Sequence, residues 1–529
     1  MNRTIIDFLN EQARAAVDRK QHVSFHMPGH KGRTAIYERM GYGSFIRNLV
    51  ACDITEIPGA DALFCPETTL RAVMDNYADL YGVRHTELLV NGSSAGVMAA
   101  IMASVQVGGK LIMGRNSHHS AFSALRLGGI NPVYVHPEID EETGLVAETD
   151  PAALEDICKE HPDAEAILIT SPNYCGMMSD IGSIARIAHS YGMTLIVDQA
   201  HGAHLRFFDH DAAMLRAEGA YIRHANHSAE SLGADIVINS THKTLLSFTG
   251  SGVLNICTDR VDTDAVSEML RNLQTTSPSY ILMGSLDINE RIMREIGPEI
   301  IKRWRDNLIR FYKYALRING VTLVGAKEAR RGAAIAAAEA EAVGESSDTN
   351  GAAGAPLSGA AYGMYQCSPG LDMTKINVSM AELGLSGEQL DRELRHQGII
   401  PEMVHGEFVM LMTGAGNVAA DYDRLLDVLK GISDSYGISG GAAKEPRSGT
   451  DFVLGVSDVP LEFESVPLYR ADGRVLYDPV IVYPPGTPIA CPGEIMSMEV
   501  IAFIAEAIER GEKVTGVDEE GLVRVGILR

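Results

Sequence analysis

The feature that most constrains this 529-residue chain is a series of short, unbroken apolar runs set between longer helical stretches. They are ELLV at 87–90, KLIMG at 110–114, NPVYVHP at 131–137, AEAILIT at 164–170, MTLIVD at 193–198 and ADIVINS at 234–240. A sheet with one wet face reads as an alternation, whereas a strand apolar at nearly every position must be covered on both faces. Strands of that kind separated by helices predict an α/β fold with a mostly parallel sheet between helical layers. Each run opens into a loop bearing Gly, Ser, Asn, Asp or His. In such sheets ligands bind beyond the carboxyl ends of the strands, so these loops are where chemistry is expected.

The chain is longer than a usual single domain, and its pattern changes along its length. Residues 1–50 read as an N-terminal arm. It comprises an amphipathic helix over 1–20, with Ile5, Ile6, Phe8 and Leu9 as its apolar part, and then the Pro/Gly segment VSFHMPGHKGR. Residues 51–300 hold the strand–helix alternation. From 301 to 529 the sequence predicts a linker helix, carrying the only tryptophan, Trp304, and a smaller C-terminal α/β domain. Strand-like EFVMLMTG (407–414) and DFVLGV (451–456) flank a helical candidate, NVAADYDRLLDVLKGI. An Ala/Gly-rich stretch near 326–358 reads as an insertion, its first part (326–343) a helix candidate. Residues 440–449 read as a flexible surface segment.

Lys and Arg total 45 against 69 Asp and Glu, a net charge of -24. A chain so acidic repels nucleic acid and anionic membrane in bulk. Its N-terminus lacks a secretory pattern, and no apolar run is long and charge-free enough to span a bilayer. The seven cysteines are scattered without a CxxC pair. A cytoplasmic protein with free thiols is the expectation.

Four loops carry candidate chemistry. Asn91-Gly92-Ser93-Ser94-Ala95-Gly96 opens a helix after a strand, so backbone N–H groups and hydroxyls form an anion cradle. GRNSHHS (114–120) places His118 and His119 after another strand, where an imidazole could lie over a flat ring. Asp198 ends a strongly apolar strand, and a carboxylate so placed needs a cationic or donor partner. His201 and His204 follow it, but no third ligand has zinc spacing, and no metal is expected. In INSTHKTLLSFTGSG (238–252), Lys243 follows a buried-looking strand, with Ser240 and His242 beside it. A lysine amine in a low-dielectric site has a lowered pKa and is a better nucleophile. Cradle, stacking ring, carboxylate and lysine, in that order, are the set that pyridoxal 5'-phosphate requires.

The motifs FHMPGHKGR (25–33), DITEIPGADALF (53–64), NGSSAG (91–96), GRNSHHS (114–120), SPNYCG (171–176), VDQAHGAH (197–204), INSTHKTL (238–245), TSPSYILMGSLD (276–287) and YPPGTPIACPGE (483–494) cover nearly the whole chain. Together they resemble the pyridoxal-phosphate-dependent ornithine/lysine/arginine decarboxylases of fold type I, in their shorter form. The resemblance implies a lyase that releases CO2 and the matching amine from a basic amino acid. Arginine is favoured; lysine and ornithine stay open. It implies that Lys243 is the cofactor-bearing lysine, Asp198 the partner of the pyridine nitrogen and His118 the stacking ring. Ser93, Ser94, Ala95 and Ser240 would contact the phosphate, and His201 and His242 would complete the site. His118, His242 or Lys243 would handle the Cα proton. Asp287 and Glu494 are candidates for the basic end of the substrate. A homodimer or higher homo-oligomer is also implied. The segment Asp61-Ala62-Leu63-Phe64-Cys65-Pro66-Glu67 departs from the family pattern of Asp-Asp-Leu-His followed by Pro-x-Gly, and Gln199 stands where Glu is common. Alternatives on the same fold are an aminotransferase, a carbon–sulfur lyase or a silent homologue with a binding role.

Overall fold

The apolar runs form the middle of a seven-stranded sheet. The computed structural model describes residues 4–17, 22–140, 143–217, 226–325, 370–436, 454–460, 462–483, 488–509, 511 and 513–527. The strands are β1 (His85–Leu89), β2 (Lys110–Gly114), β3 (Asn131–Val135), β4 (Ala166–Thr170), β5 (Thr194–Asp198), β6 (Ile236–Asn239) and β7 (Gly252–Ile256). Their spatial order is β1-β7-β6-β5-β4-β2-β3. Only β7 runs against its neighbours. The expectation of a mostly parallel sheet holds, with β7 as the strand the apolar runs do not reveal.

Alternation along a strand explains why these runs are continuous. In β5, Ile196 packs in one cluster with Val97, Ile101, Phe122 and Leu125. Leu195 and Val197 point the other way, onto Leu154, Ile181, Ile184 and Ala188. Both faces are therefore core, and each fully buried aliphatic side chain contributes about 1.5–3 kcal/mol of transfer free energy. Helix α1 (Gly92–Ser104) and helix α2 (His119–Gly128) lie on the first of these faces.

The expected linker is helix α3 (Tyr280–Ala315), and it packs along much of its length. Trp304 is buried, donates its indole N–H to Thr413 Oγ1 at 2.8 Å and meets Phe208 edge to face. It thereby joins the large domain to a second sheet of β8 (Thr322–Leu323), β9 (Lys375–Ser379), β10 (Met403–His405) and β11 (Phe408–Met412), ordered β8-β9-β11-β10. Residues 301–529 supply two cores. Leu454, Leu476, Val480, Met496, Ile504 and Val525 form a separate cluster after the second sheet. Val456 makes only an isolated bridge, to Glu494. The rest of the expected strand at 451–453, the alanine-rich stretch and residues 440–449 lie outside the described residues.

The N-terminal arm has a helix at Ile5–Val17. Its Ile5, Ile6 and Leu9 are exposed. The arm then enters the body of the protein, where Val23–Phe25 pairs in parallel with Ile399–Pro401. The next residues run under the Lys243 turn: Gly29 N–H donates to His242 O at 2.7 Å, and Gly416 N–H donates to Gly29 O at 3.0 Å. A Cβ at Gly29 would lie 2.3 Å from Leu245 O, and one at Gly416 would lie 2.4 Å from His30 O. Only glycine lets three backbones approach this closely.

Candidate active site

The strand order brings the candidate loops to one edge of the sheet. Thr170, Asp198 and Ile238 lie in register at the carboxyl ends of β4, β5 and β6. Lys243 sits in the one-turn helix Thr241–Thr244, just after β6. His118 is the N-cap of α2, and Ser93 and Ser94 lie in the first turn of α1. Asn91, which caps α1, makes no side-chain capping bond, so that N-terminus is not closed by its own cap.

Lys243 Nζ lies 3.0 Å from His201 Nε2. Burial lowers the Lys243 pKa, while Asp198 and then Glu402 pull it back up. Burial raises the Asp198 carboxyl, and Lys243 opposes this. Asp198 Oδ1 accepts the Ala200 N–H at 3.1 Å. Ser240 donates to Ser93 Oγ at 2.8 Å, joining the strand that leads to Lys243 with the start of α1. His242 Nδ1 lies 2.6 Å from Ser251 O, which fixes its ring; burial takes its pKa down to about 4. His118 is exposed, and its ring stands perpendicular to that of His119, 4.3 Å away between centroids.

Several residues at this site carry no local sign in the sequence. The Tyr174 ring lies 4.5 Å from that of His201, and its hydroxyl donates to Glu402 Oε1 at 2.8 Å. Glu402 Oε2 accepts the Met27 N–H, also at 2.8 Å. Lys375 donates to His201 O and to Asp372 Oδ2. Burial alone would raise Asp372, but Lys375 and His204 outweigh it and hold the carboxyl well below the usual range. His201 and His204 thus face different partners. Among the described residues no three His, Cys, Asp or Glu side chains are grouped to hold a metal.

The two substrate-end candidates are each paired with an arginine. Asp287 pairs with Arg291 one turn along α3, at 2.8 Å. Glu494 is fully buried, with Arg115 Nε at 2.6 Å from Oε1 and Arg115 Nη2 at 2.9 Å from Oε2. The segment from Asp61 is a self-capped turn. Asp61 accepts N–H groups of Ala62, Glu67, Thr68 and Leu70, which outweigh burial and bring its carboxyl to about 2. Gln199 donates to Glu230 at 2.9 Å and to Asn239 at 3.1 Å, a buried amide on a half-buried acid.

These features fit pyridoxal 5'-phosphate. The His201 Nδ1 is buried without a partner. Asp198 is a buried carboxylate with no cation within ion-pair distance among the described residues. The serine pair and the α1 N-terminus suit a phosphate, and the Ser240–Ser93 bond joins them to the segment that leads to Lys243.

The profile of the Orn/Lys/Arg decarboxylase major domain matches residues 12–420, and that of the family's C-terminal domain matches 458–523. An arginine decarboxylase of Bacillus subtilis is 30% identical over 530 residues, covering 96% of this chain and 95% of its own. One from Bacillus anthracis is 28% identical, covering 96% and 94%. The constitutive lysine decarboxylase of Escherichia coli superposes with a TM-score of 0.67 at 18% identity, covering 98% of this chain and 81% of its own. Lysine decarboxylase A of Pseudomonas aeruginosa gives 0.68 at 17%, with the same coverage. Those two likenesses speak for the fold.

Proposed function

The chain belongs to the Orn/Lys/Arg decarboxylase family, whose members use pyridoxal 5'-phosphate to remove the α-carboxyl group of a basic amino acid, and from that premise we propose that its substrate is arginine. The arginine reading is supported by the two Bacillus relatives, which align along almost the whole chain. The observation that carries the reaction class is the company Lys243 keeps. The charged groups acting on it are Asp198, Glu402 and Lys375, with no arginine among them. An aminotransferase normally holds the substrate α-carboxylate with an arginine; among the described residues the charged groups that act on Lys243 include none.

In this reading Ser93, Ser94 and Ala95, with Ser240, hold the cofactor phosphate. Lys243 holds the cofactor covalently through its amine, and His118 covers the ring. Asp198 keeps a proton on the ring nitrogen, because a buried carboxylate is stabilised by a cation at that point. His201, tied through its carbonyl to Lys375 and 3.0 Å from the Lys243 amine, would help to hold the cofactor. When bound, the cofactor supplies an electron sink for the pair left at Cα as CO2 departs. Lys243, His118 or His242 then delivers the Cα proton. Because Nδ1–H is committed to Ser251 O and burial keeps the ring neutral, His242 would first have to take the proton up on Nε2 before passing it on. Glu402 meets the basic end of the substrate. A carboxylate accepts a guanidinium fork through two oxygens, and substrate would displace the Tyr174 hydroxyl from Oε1.

The protein works in the cytoplasm as at least a homodimer. This is supported by the exposed apolar side chains of Ile5, Ile6, Val50 and Ile57, and by six described cysteines that form no disulfide. No described helix is long and apolar enough to cross a membrane.

The test is a mass-spectrometric assay of amine and CO2 with arginine, lysine and ornithine separately, using Lys243→Ala as control. Agmatine with stoichiometric CO2 is expected from arginine. Turnover of lysine or ornithine alone would overturn the substrate, and a keto acid without CO2 would overturn the reaction.

A further inference from the structure

We propose that Glu494 acts through Arg115 as a positioning residue for His118, so that the unit after residue 454 takes part in building the cofactor site. The inference rests on the reading above that His118 covers the cofactor ring.

The connection is short and fully traceable. β2 ends at Gly114, and Ser117 N–H donates to Gly114 O at 3.0 Å, closing a turn over 114–117. His118 follows at once as the N-cap of α2, with Ser120 N–H donating to its Nδ1 at 3.3 Å. Arg115 is the second residue of the turn. Its own N–H is held by Val135 O on β3 at 2.9 Å. Its side chain leaves the large domain altogether: beyond the two bonds to Glu494, Nη1 donates to Pro488 O at 3.1 Å and Nη2 to Ile489 O at 2.7 Å. Glu494 Oε2 also takes the Cys491 N–H at 2.8 Å. The turn that presents His118 is thus walled on one side by β3 and on the other by four hydrogen bonds to the C-terminal unit. The far end of α2 is tied to the same unit by Arg126 and Asp478.

The chemistry of the pair favours geometry over stability. The Arg115 side chain is 8% exposed and that of Glu494 0%. Two charges taken so far out of water are about as stabilising as a well-packed apolar pair, and often less so. What a bidentate guanidinium–carboxylate pair adds is direction: two parallel bonds in one plane permit one orientation. A lysine could not supply it, being a point charge on a flexible stem. The turn and the start of α2 carry two exposed rings, His118 and His119; the pKa of His118 is lowered by burial, then by His119 and by Lys243, which places that ring within electrostatic reach of the Lys243 amine. Fixing the turn fixes that ring.

The experiment measures the dissociation constant of pyridoxal 5'-phosphate by titrating apo-protein, alongside the unfolding midpoint of the apo-protein. The variants are Arg115→Met/Glu494→Leu, Arg115→Lys, His118→Ala and Tyr134→Phe. The double variant removes both charges together and so avoids leaving one buried alone. Tyr134→Phe removes another bond to the same unit, Tyr134 hydroxyl to Pro492 O at 2.7 Å, from a residue outside the 114–128 segment. The expected result is an apo midpoint close to the parent for the double variant, with cofactor affinity weakened roughly tenfold or more, the size that outer-shell partners carry at ligand sites. Arg115→Lys should weaken it in the same direction, and Tyr134→Phe, which leaves the Arg115–Glu494 pair in place, should leave it close to that of the parent. Parent-like affinity in the double variant, with a clear loss in His118→Ala, would overturn the inference and spare the reading of His118. Parent-like affinity in His118→Ala would overturn both. Equal losses in the double variant and Tyr134→Phe would mean general loosening of the interface and would also overturn it.

Discussion

The Lys243 amine and the His201 imidazole meet at 3.0 Å, with burial lowering the pKa of each. The His201 backbone is held by the Lys375 bond to its carbonyl, and its ring packs against that of Tyr174. The lysine therefore faces a rigid neutral wall rather than a carboxylate in hydrogen-bond contact. An amine in that setting spends more time unprotonated, as covalent attachment of an aldehyde requires.

Borohydride reduction of the cofactor-loaded protein is expected to leave the pyridoxyl group on Lys243. The structural rival is Lys31, which is also buried, with burial bringing its pKa to about 7. Its amine, however, is spent on His26 O at 2.5 Å and Met412 O at 2.9 Å. Peptide mass spectrometry decides between them. Lys243→Ala should lose at least the roughly 10²–10⁴-fold in turnover that a positioned proton-transfer group contributes.

Asp198→Asn should separate chemistry from folding. Asparagine keeps an oxygen for the Ala200 N–H, so the free energy of unfolding should move by no more than about 1 kcal/mol. The negative charge that would keep the ring nitrogen protonated is lost, and turnover should fall on the order of 10²–10³-fold. Turnover, cofactor occupancy and unfolding midpoint, measured together, test this; near-parent turnover at full occupancy would remove Asp198 from its assigned role.

Glu402→Gln should raise KM for the basic substrate more than it lowers kcat. A hydrogen bond to a charged group contributes about 1.5–3 kcal/mol, or roughly 10- to 100-fold. The amide still accepts the Met27 N–H, so the strand pairing beneath it persists. Steady-state kinetics with arginine check the split, and an unchanged KM would exclude Glu402 from substrate contact.

The apo-protein should lose stability as pH falls from 7 to 5, and His30 should account for part of that loss. Burial, then Lys31 and His242, hold His30 at about 4, below its unfolded value. Above pH 6.5 the ring is neutral in both states and contributes nothing. Between about 6.5 and 4 the unfolded chain binds the extra proton, so stability falls as pH falls, then levels off. His30→Gln should shrink the drop between pH 7 and 5.5 by about 1 kcal/mol. Parallel denaturant titrations at the two pH values measure it; an unchanged drop would place the His30 ring in water.

Legibility in the sequence follows the strands. Asp198, Lys243, His118 and the serine cradle each close a strand or open the helix after it, so an apolar run points straight at them. Strand β7 escaped because Ser251 and Gly252 sit where a loop is expected. Glu402 escaped for a different reason. It reaches the site only because Val23–Phe25 pairs with Ile399–Pro401 and so brings the Met27 N–H to its carboxylate; no local pattern encodes a partnership that distant. Glu494 illustrates the converse. An acid in a motif near the end of the chain reads as available, and only packing discloses that Arg115 already owns both oxygens.

The three backbones stacked at Gly29, Leu245 and Gly416 also set an order of events for a chain emerging from the ribosome. The segment under the Lys243 turn is made first, the turn itself midway, and the layer that clamps both only after residue 416. Until then the turn lacks the layer that closes it, and Lys375 and Glu402, which act on Lys243 in the finished protein, are made only shortly before that layer. Capture of the cofactor in its working geometry is accordingly a late step in the life of each molecule, and truncated chains ending before Gly414 should not be coloured by it.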